Sequence, residues 1–183
     1  MKKYFPIYLY GAIIILEGIF LQFNEYSSFN IIKLSLGISL TIGAILAFMA
    51  AFSQQRKQVQ FAYHEMHALA MIVYGISILV FSNTFENLIS FTGFLFMFYS
   101  FSEIIFCIWL FNLGQKVVYK IIIVRFLLGL ATGFGTIAAM YYSSSTLKGF
   151  GILFIMVGIN IMFYVPVLKR KDRSEVKLAA NEH

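Results

Sequence analysis

The sequence predicts an all-α polytopic membrane protein: six transmembrane helices, arranged as three parallel hairpin repeats in a pseudo-threefold bundle. Three observations carry this prediction. Hydrophobic residues make up 60% of the 183 and charged residues only 12%, against about 45–50% and about 25% in soluble domains. The apolar residues arrive in six blocks near twenty residues long, the length that crosses about 30 Å of hydrocarbon. The blocks beginning at residues 5, 61 and 117 are evenly spaced by 56. A soluble helical domain would need polar helix faces, and most of these blocks have none.

The first block, Phe5–Phe23, follows Lys2 and Lys3 and has the outline of a signal peptide. No cleavage site of small residues follows it and Glu17 interrupts it, so it reads as an uncleaved first span. Pro6 suits a first helical turn. The second block, Asn30–Phe52, carries Ser35, Ser39, Gly43, Ala47 and Ala51 at every fourth position, a stripe of small residues for close helix approach. The third, Phe61–Ser82, opens on YHEMH, Tyr63–His67. The fourth, Leu88–Leu113, places Ser100, Glu103 and Cys107 on one face. Cys107 is the sole cysteine, which excludes an internal disulfide, and its apolar setting suits a buried small side chain. The fifth, Val117–Tyr142, has Arg125 four residues before the Gly129–Gly133 pair, so Arg125 points at protein. The sixth, Gly149–Leu168, contains Asn160 and ends near Pro166, which bends or stops it.

The turns NEYSSF, SQQRKQVQ, NTFEN, GQK and SSSTLK are short, which makes adjacent spans antiparallel neighbours. Eleven basic residues collect on one side: Lys2, Lys3, Arg56, Lys57, Lys116, Lys120, Lys169, Arg170, Lys171, Arg173 and Lys177. Lys33 and Lys148 stand alone on the other. The more basic side is the cytoplasmic one, so both termini are expected there. Glycines recur at Gly18, Gly75 and Gly129 in the odd spans, and at Gly37, Gly93 and Gly151 in the even ones, followed by Gly43, Ser100 and Gly158. One helical hairpin written three times, at 5–52, 61–113 and 117–168, accounts for that pattern. Residues 1–168 then form a single transmembrane domain, and 169–183 a basic, aperiodic tail expected to be mobile. The net charge of +6 sits between the spans rather than on a face, so it marks topology and not nucleic-acid binding. The expected partners are the bilayer, anionic headgroups on the basic side, and a second copy or another membrane protein.

Four polar residues lie inside the spans: Glu17, Glu103, Arg125 and Asn160. Their depths from the cytoplasmic ends are roughly 18, 15, 12 and 12 Å by helical rise, so all four are expected to meet in the inner half of the bundle. Glu103 and Arg125 flank the basic turn Gln115–Lys120 at similar depth and form the natural ion pair. Two acids then share one base, and the set reads either as a static Glu103–Arg125 clasp with Glu17 protonated and hydrogen-bonded, or as a titratable acid for a proton path or an acid sensor. The histidines His64 and His67 share a face three residues apart, with Glu65 pointing elsewhere. That spacing can bind zinc, but a site needs a third or fourth ligand. The histidines are expected at the membrane surface, solvated or touching headgroups. No phosphate loop, nucleophile elbow or dinucleotide fingerprint is present, and no cofactor is expected.

The chain resembles the HdeD-like acid-resistance membrane proteins of bacteria. The residues carrying the resemblance are GIFLQF at Gly18, YGISILVF at Tyr74, LLGLATGF at Leu127 and GFGILFIMVGINIMF at Gly149, within short-looped hairpins. The resemblance implies a bacterial inner-membrane protein of the acid-stress response and supplies no catalytic motif. Three functional readings follow. The first is a non-enzymatic HdeD-like bundle. The second is a small channel or proton-coupled carrier using Glu17, Glu103 and Arg125. The third is an intramembrane lipid-acting enzyme using His64, Glu65 and His67.

Overall fold

The structure, a computed structural model, describes residues 4–24, 27–53, 58–112, 119–141 and 146–166, without the side chains at 51–53, 58–64 and 146. Lys2, Lys3, Arg56, Lys57, Lys116 and the 169–183 tail lie outside the described residues. Within them the chain is all helix: α1 (Phe5–Phe23), α2 (Phe29–Ser53), α3 (Gln58–Phe81), α4 (Phe85–Asn112), α5 (Tyr119–Tyr141) and α6 (Thr146–Met162). Five of these are long and apolar enough to cross a membrane; in α3 the described apolar stretch is the shorter Glu65–Phe81. This is a multi-pass helical membrane protein.

Local chemistry sets the helix ends. Pro6 occupies the first turn of α1, where its missing N–H leaves no bond unmade. At the other end both the backbone N–H and the side-chain amide of Asn24 donate to Phe20 O, each at 3.0 Å, and Ser27 Oγ donates to Asn24 Oδ1 at 3.2 Å. Thr84 Oγ1 accepts the N–H of Asn87, an N-cap for α4. The last span bears the mark of Pro166. Without an N–H the proline cannot bond Met162 O, and regular helix stops at Met162 with a turn at Phe163 before 164–166 resume.

Each helix packs on its sequence neighbours, and α6 packs on α1, so the six close into a ring. Tight and loose contacts alternate around it: α6–α1, α2–α3 and α4–α5 are close, whereas α1–α2, α3–α4 and α5–α6 are looser. Side chains such as Leu16, Ile105 and Phe134 face outward, while the polar Glu17, His67, Glu103, Arg125, Thr132 and Asn160 are buried. That inversion suits lipid, which solvates apolar side chains and offers polar ones nothing. The interior is filled by rings and branched chains; Phe96 packs on Phe150 and Phe154 with centroids 5.7 and 4.6 Å apart. Among the residues expected at packing faces, Gly43 meets Ile14, Tyr10 and Met71, and Gly75 meets Leu40. Gly129 and Gly133 meet Glu103 and Ser100, and Gly18 and Gly158 lie on the α1–α6 seam.

Candidate functional site: a buried polar cluster

The cluster is built on one face of α4. Tyr99, Glu103, Phe106 and Cys107 recur at helical spacing and are all buried. Opposite them α5 buries Ile122, Arg125, Gly129, Thr132 and Thr136, again one face. Gly129 lets the two backbones approach: a Cβ there would stand 3.0 Å from Glu103 Cγ. Ser100 Oγ donates to Gly129 O at 2.7 Å and locks the register.

Arg125 and Glu103 are both 0% exposed and engage as a two-toothed fork. Arg125 Nε donates to Oε1 at 2.7 Å and Nη2 to Oε2 at 2.9 Å. Cys107 Sγ donates to Oε1 at 3.5 Å. The guanidinium lies beside a pair of touching rings, its carbon 5.5 Å from the centroid of Phe106 and 4.8 Å from that of Tyr164, which are themselves 5.6 Å apart. Charge-assisted paired bonds and cation–π contacts together replace the hydration each ion gives up.

A second polar limb starts one turn earlier on α4. Tyr99 Oη accepts from Asn160 Nδ2 at 2.8 Å, tying α4 to α6. The Tyr99 ring lies 5.0 Å from the His67 ring, and His67 Nε2 is 2.8 Å from Ser102 Oγ. Ser102 gives its single hydroxyl proton to Tyr99 O at 2.9 Å, which makes the histidine Nε2–H the donor to Ser102. Tyr10, Ile14, His67, Met71, Tyr99 and Phe154 border a cavity of about 30 Å³, room for a water molecule or two.

Two expectations are corrected here. His67 is not at a solvated surface but 3% exposed, between α3 and α4. The reason is that α3 begins at Gln58, so His67 stands two and a half turns inside the helix. Glu65, two residues earlier, is half-buried, and the His64 side chain lies outside the described residues. Nor do the four polar residues share one site. Glu17 bonds to Ser35 and Ser39 on α2, because α1 borders α2 and α6 whereas Arg125 lies on α5. Among the described residues no three His, Cys, Asp or Glu side chains converge to hold a metal.

Reasoning from sequence missed Tyr99, Ser102, Phe106 and Tyr164. Tyr99 and Phe106 were within reach of it, since they lie four residues before and three after Glu103 on its inward face. Compared with known proteins, the chain matches no family model, no curated protein and no solved structure.

Proposed function

We propose that this is a non-enzymatic integral membrane protein of the HdeD-like kind, which contributes to acid and stress tolerance as a closed helical bundle. The observation that supports this reading most is the paired and fully buried cluster between α4 and α5. Glu103 and Arg125 neutralise each other at full burial, and the adjoining cavity of about 30 Å³ is far below the size of a substrate site. A bundle of this kind acts by its presence or through a partner rather than by turnover. The setting is the bacterial inner membrane, with anionic headgroups against the basic side and a second copy or another membrane protein as partner.

The test has two arms. Reconstituted into vesicles with a trapped pH dye, the protein should leave an imposed pH gradient to decay at the rate of protein-free vesicles. Expressed in an acid-sensitive bacterium, it should raise survival after acid shock, and Arg125→Ala should lose that gain. Accelerated decay of the gradient would instead favour the channel reading.

The finer architecture belongs to the same proposal. The alternation of tight and loose contacts around the ring has a period of two helices, which supports three parallel hairpins around an axis along the membrane normal. α3 lies between α2 and α4 in that ring, which supports reading it as the sixth span. With both termini cytoplasmic, a cysteine at Gln55 in a Cys107→Ser background should react only with reagent supplied from the cytoplasmic side. One at the exposed Asn83 should react only from outside. The reverse pattern would overturn the orientation.

A further inference from the structure

Among the described residues the buried ionic groups do not balance. Glu103 is matched by Arg125. Glu17 is 3% exposed and has no cation. Ser35 Oγ and Ser39 Oγ donate to it at 2.7 and 2.6 Å, both to Oε2, while Oε1 is buried without a hydrogen-bond partner.

The helices packed against α1 are α2 and α6. Their cations among the described residues are Lys33, whose Nζ lies 5.9 Å over the Phe29 ring, and Lys148, which is exposed. The remaining titratable groups there are Tyr4 just before α1, Tyr8 and Tyr10 on α1 and Tyr164 beyond α6, all toward the opposite end of the bundle. None of these bonds Glu17. Glu17 lies six residues from the end of α1, about 9 Å by helical rise, in the half of the bundle away from the Glu103–Arg125 pair.

An isolated carboxylate in such a place is too costly to persist as a bare anion. Two hydroxyl donors converge on Oε2 and none reaches Oε1, so a proton held on Oε1 would neutralise the group without disturbing either bond. We propose that Glu17, Ser35 and Ser39 form a binding site for a single exchangeable proton on the α1–α2 seam, separate from the Glu103–Arg125 cluster. The seam is one of the looser contacts in the ring, and both serines are only half-buried. The inference does not depend on the acid-tolerance proposal.

The experiment uses dicyclohexylcarbodiimide, an apolar reagent that requires a protonated carboxyl: the acid proton passes to a carbodiimide nitrogen, the carboxylate adds to the central carbon, and rearrangement leaves a stable N-acylurea. The full-length protein in detergent, treated and digested for mass spectrometry, should carry one reagent mass at Glu17 and background at Glu103, both of whose oxygens are bonded to Arg125. Labelling should fall away at alkaline pH and be indifferent to sodium at fixed pH. Glu17→Gln should abolish the modification and melt at the temperature of the parent or above it, since an amide offers the same carbonyl to both serines and N–H in place of O–H. Absence of label at Glu17, or label that does not vary with pH, overturns the proposal. Protection by sodium overturns the assignment to a proton and makes the site one for the metal cation.

Discussion

Replacing Arg125 by alanine should destabilise the folded protein by about 3–5 kcal/mol, and replacing Glu103 by alanine should do the same, because each leaves the other charge buried without its partner. Arg125→Ala also opens a cavity beside Phe106 and Tyr164, a loss that the double variant retains. What the double variant recovers is the cost of the stranded ion. The two losses should therefore combine to less than their sum, with a coupling of about 2–3 kcal/mol. Arg125→Lys keeps the charge but not the planar fork that bonds both carboxylate oxygens and contacts two rings, so it should fall between parent and alanine. Thermal unfolding of the detergent-solubilised protein measures all four variants. Additive losses would mean that the bidentate contact contributes nothing to the fold.

Much of the architecture was legible because lipid imposes a simple code. Blocks of apolar residues near twenty long, joined by short polar turns, leave little choice but neighbouring antiparallel helices, and the described helices follow those blocks. Boundaries were harder where polar residues are helical. Gln58, Val59 and Gln60 belong to α3 although hydropathy placed the start at Phe61. Phe85–Asn87 likewise precede the apolar block but belong to α4, where Thr84 caps the first turn.

The site was legible in part, for geometric reasons. Facing is a property of one helix, so the spacing from Arg125 to Gly129 and from Ser100 to Glu103 and Cys107 told which side chains turn inward. Depth is also a property of one helix, but only if its first residue is right. His67 was placed at the surface through that error, although it shares its face with the buried Met71 and Ile78. Adjacency is a property of the whole bundle. Glu17, at matching depth by simple counting, went to serines on α2 because the ring puts α2 and α6 beside α1 and keeps α5 away. The serine stripe was read as a packing surface. Nothing in its spacing announced that two hydroxyls would be claimed by a carboxylate.

The α1–α6 seam closes the ring, and a side chain placed in it should open the bundle. Gly11 and Gly18 on α1 are seven residues apart, as are Gly151 and Gly158 on α6, and the antiparallel pairing sets Gly11 on Gly158 and Gly18 on Gly151. A Cβ at Gly18 would stand 2.5 Å from Gly151 O and 2.9 Å from Ile155 N; one at Gly158 would stand 2.6 Å from Gly11 O. These obstacles are backbone, so no rotamer change relieves them and the helices must move apart. Separation forfeits the dense contacts that drive helix association where no hydrophobic effect operates. Overpacking usually costs about 1–3 kcal/mol, and a backbone clash at a ring-closing seam belongs at or above the upper end of that range. Gly18→Leu and Gly158→Leu should therefore each cost at least about 3 kcal/mol in thermal unfolding. Gly43→Ala is the control: its Cβ would meet Met71, Ile14 and Tyr10 side chains at 3.4–3.5 Å, ordinary contact, and it should be neutral or stabilise by up to about 1 kcal/mol. A disulfide engineered across α1 and α6 should form readily in the parent and fail in Gly18→Leu if the seam has opened. Should Gly18→Leu melt together with Gly43→Ala, the two helices do not approach through their glycines and the closure of the ring must rest on another contact.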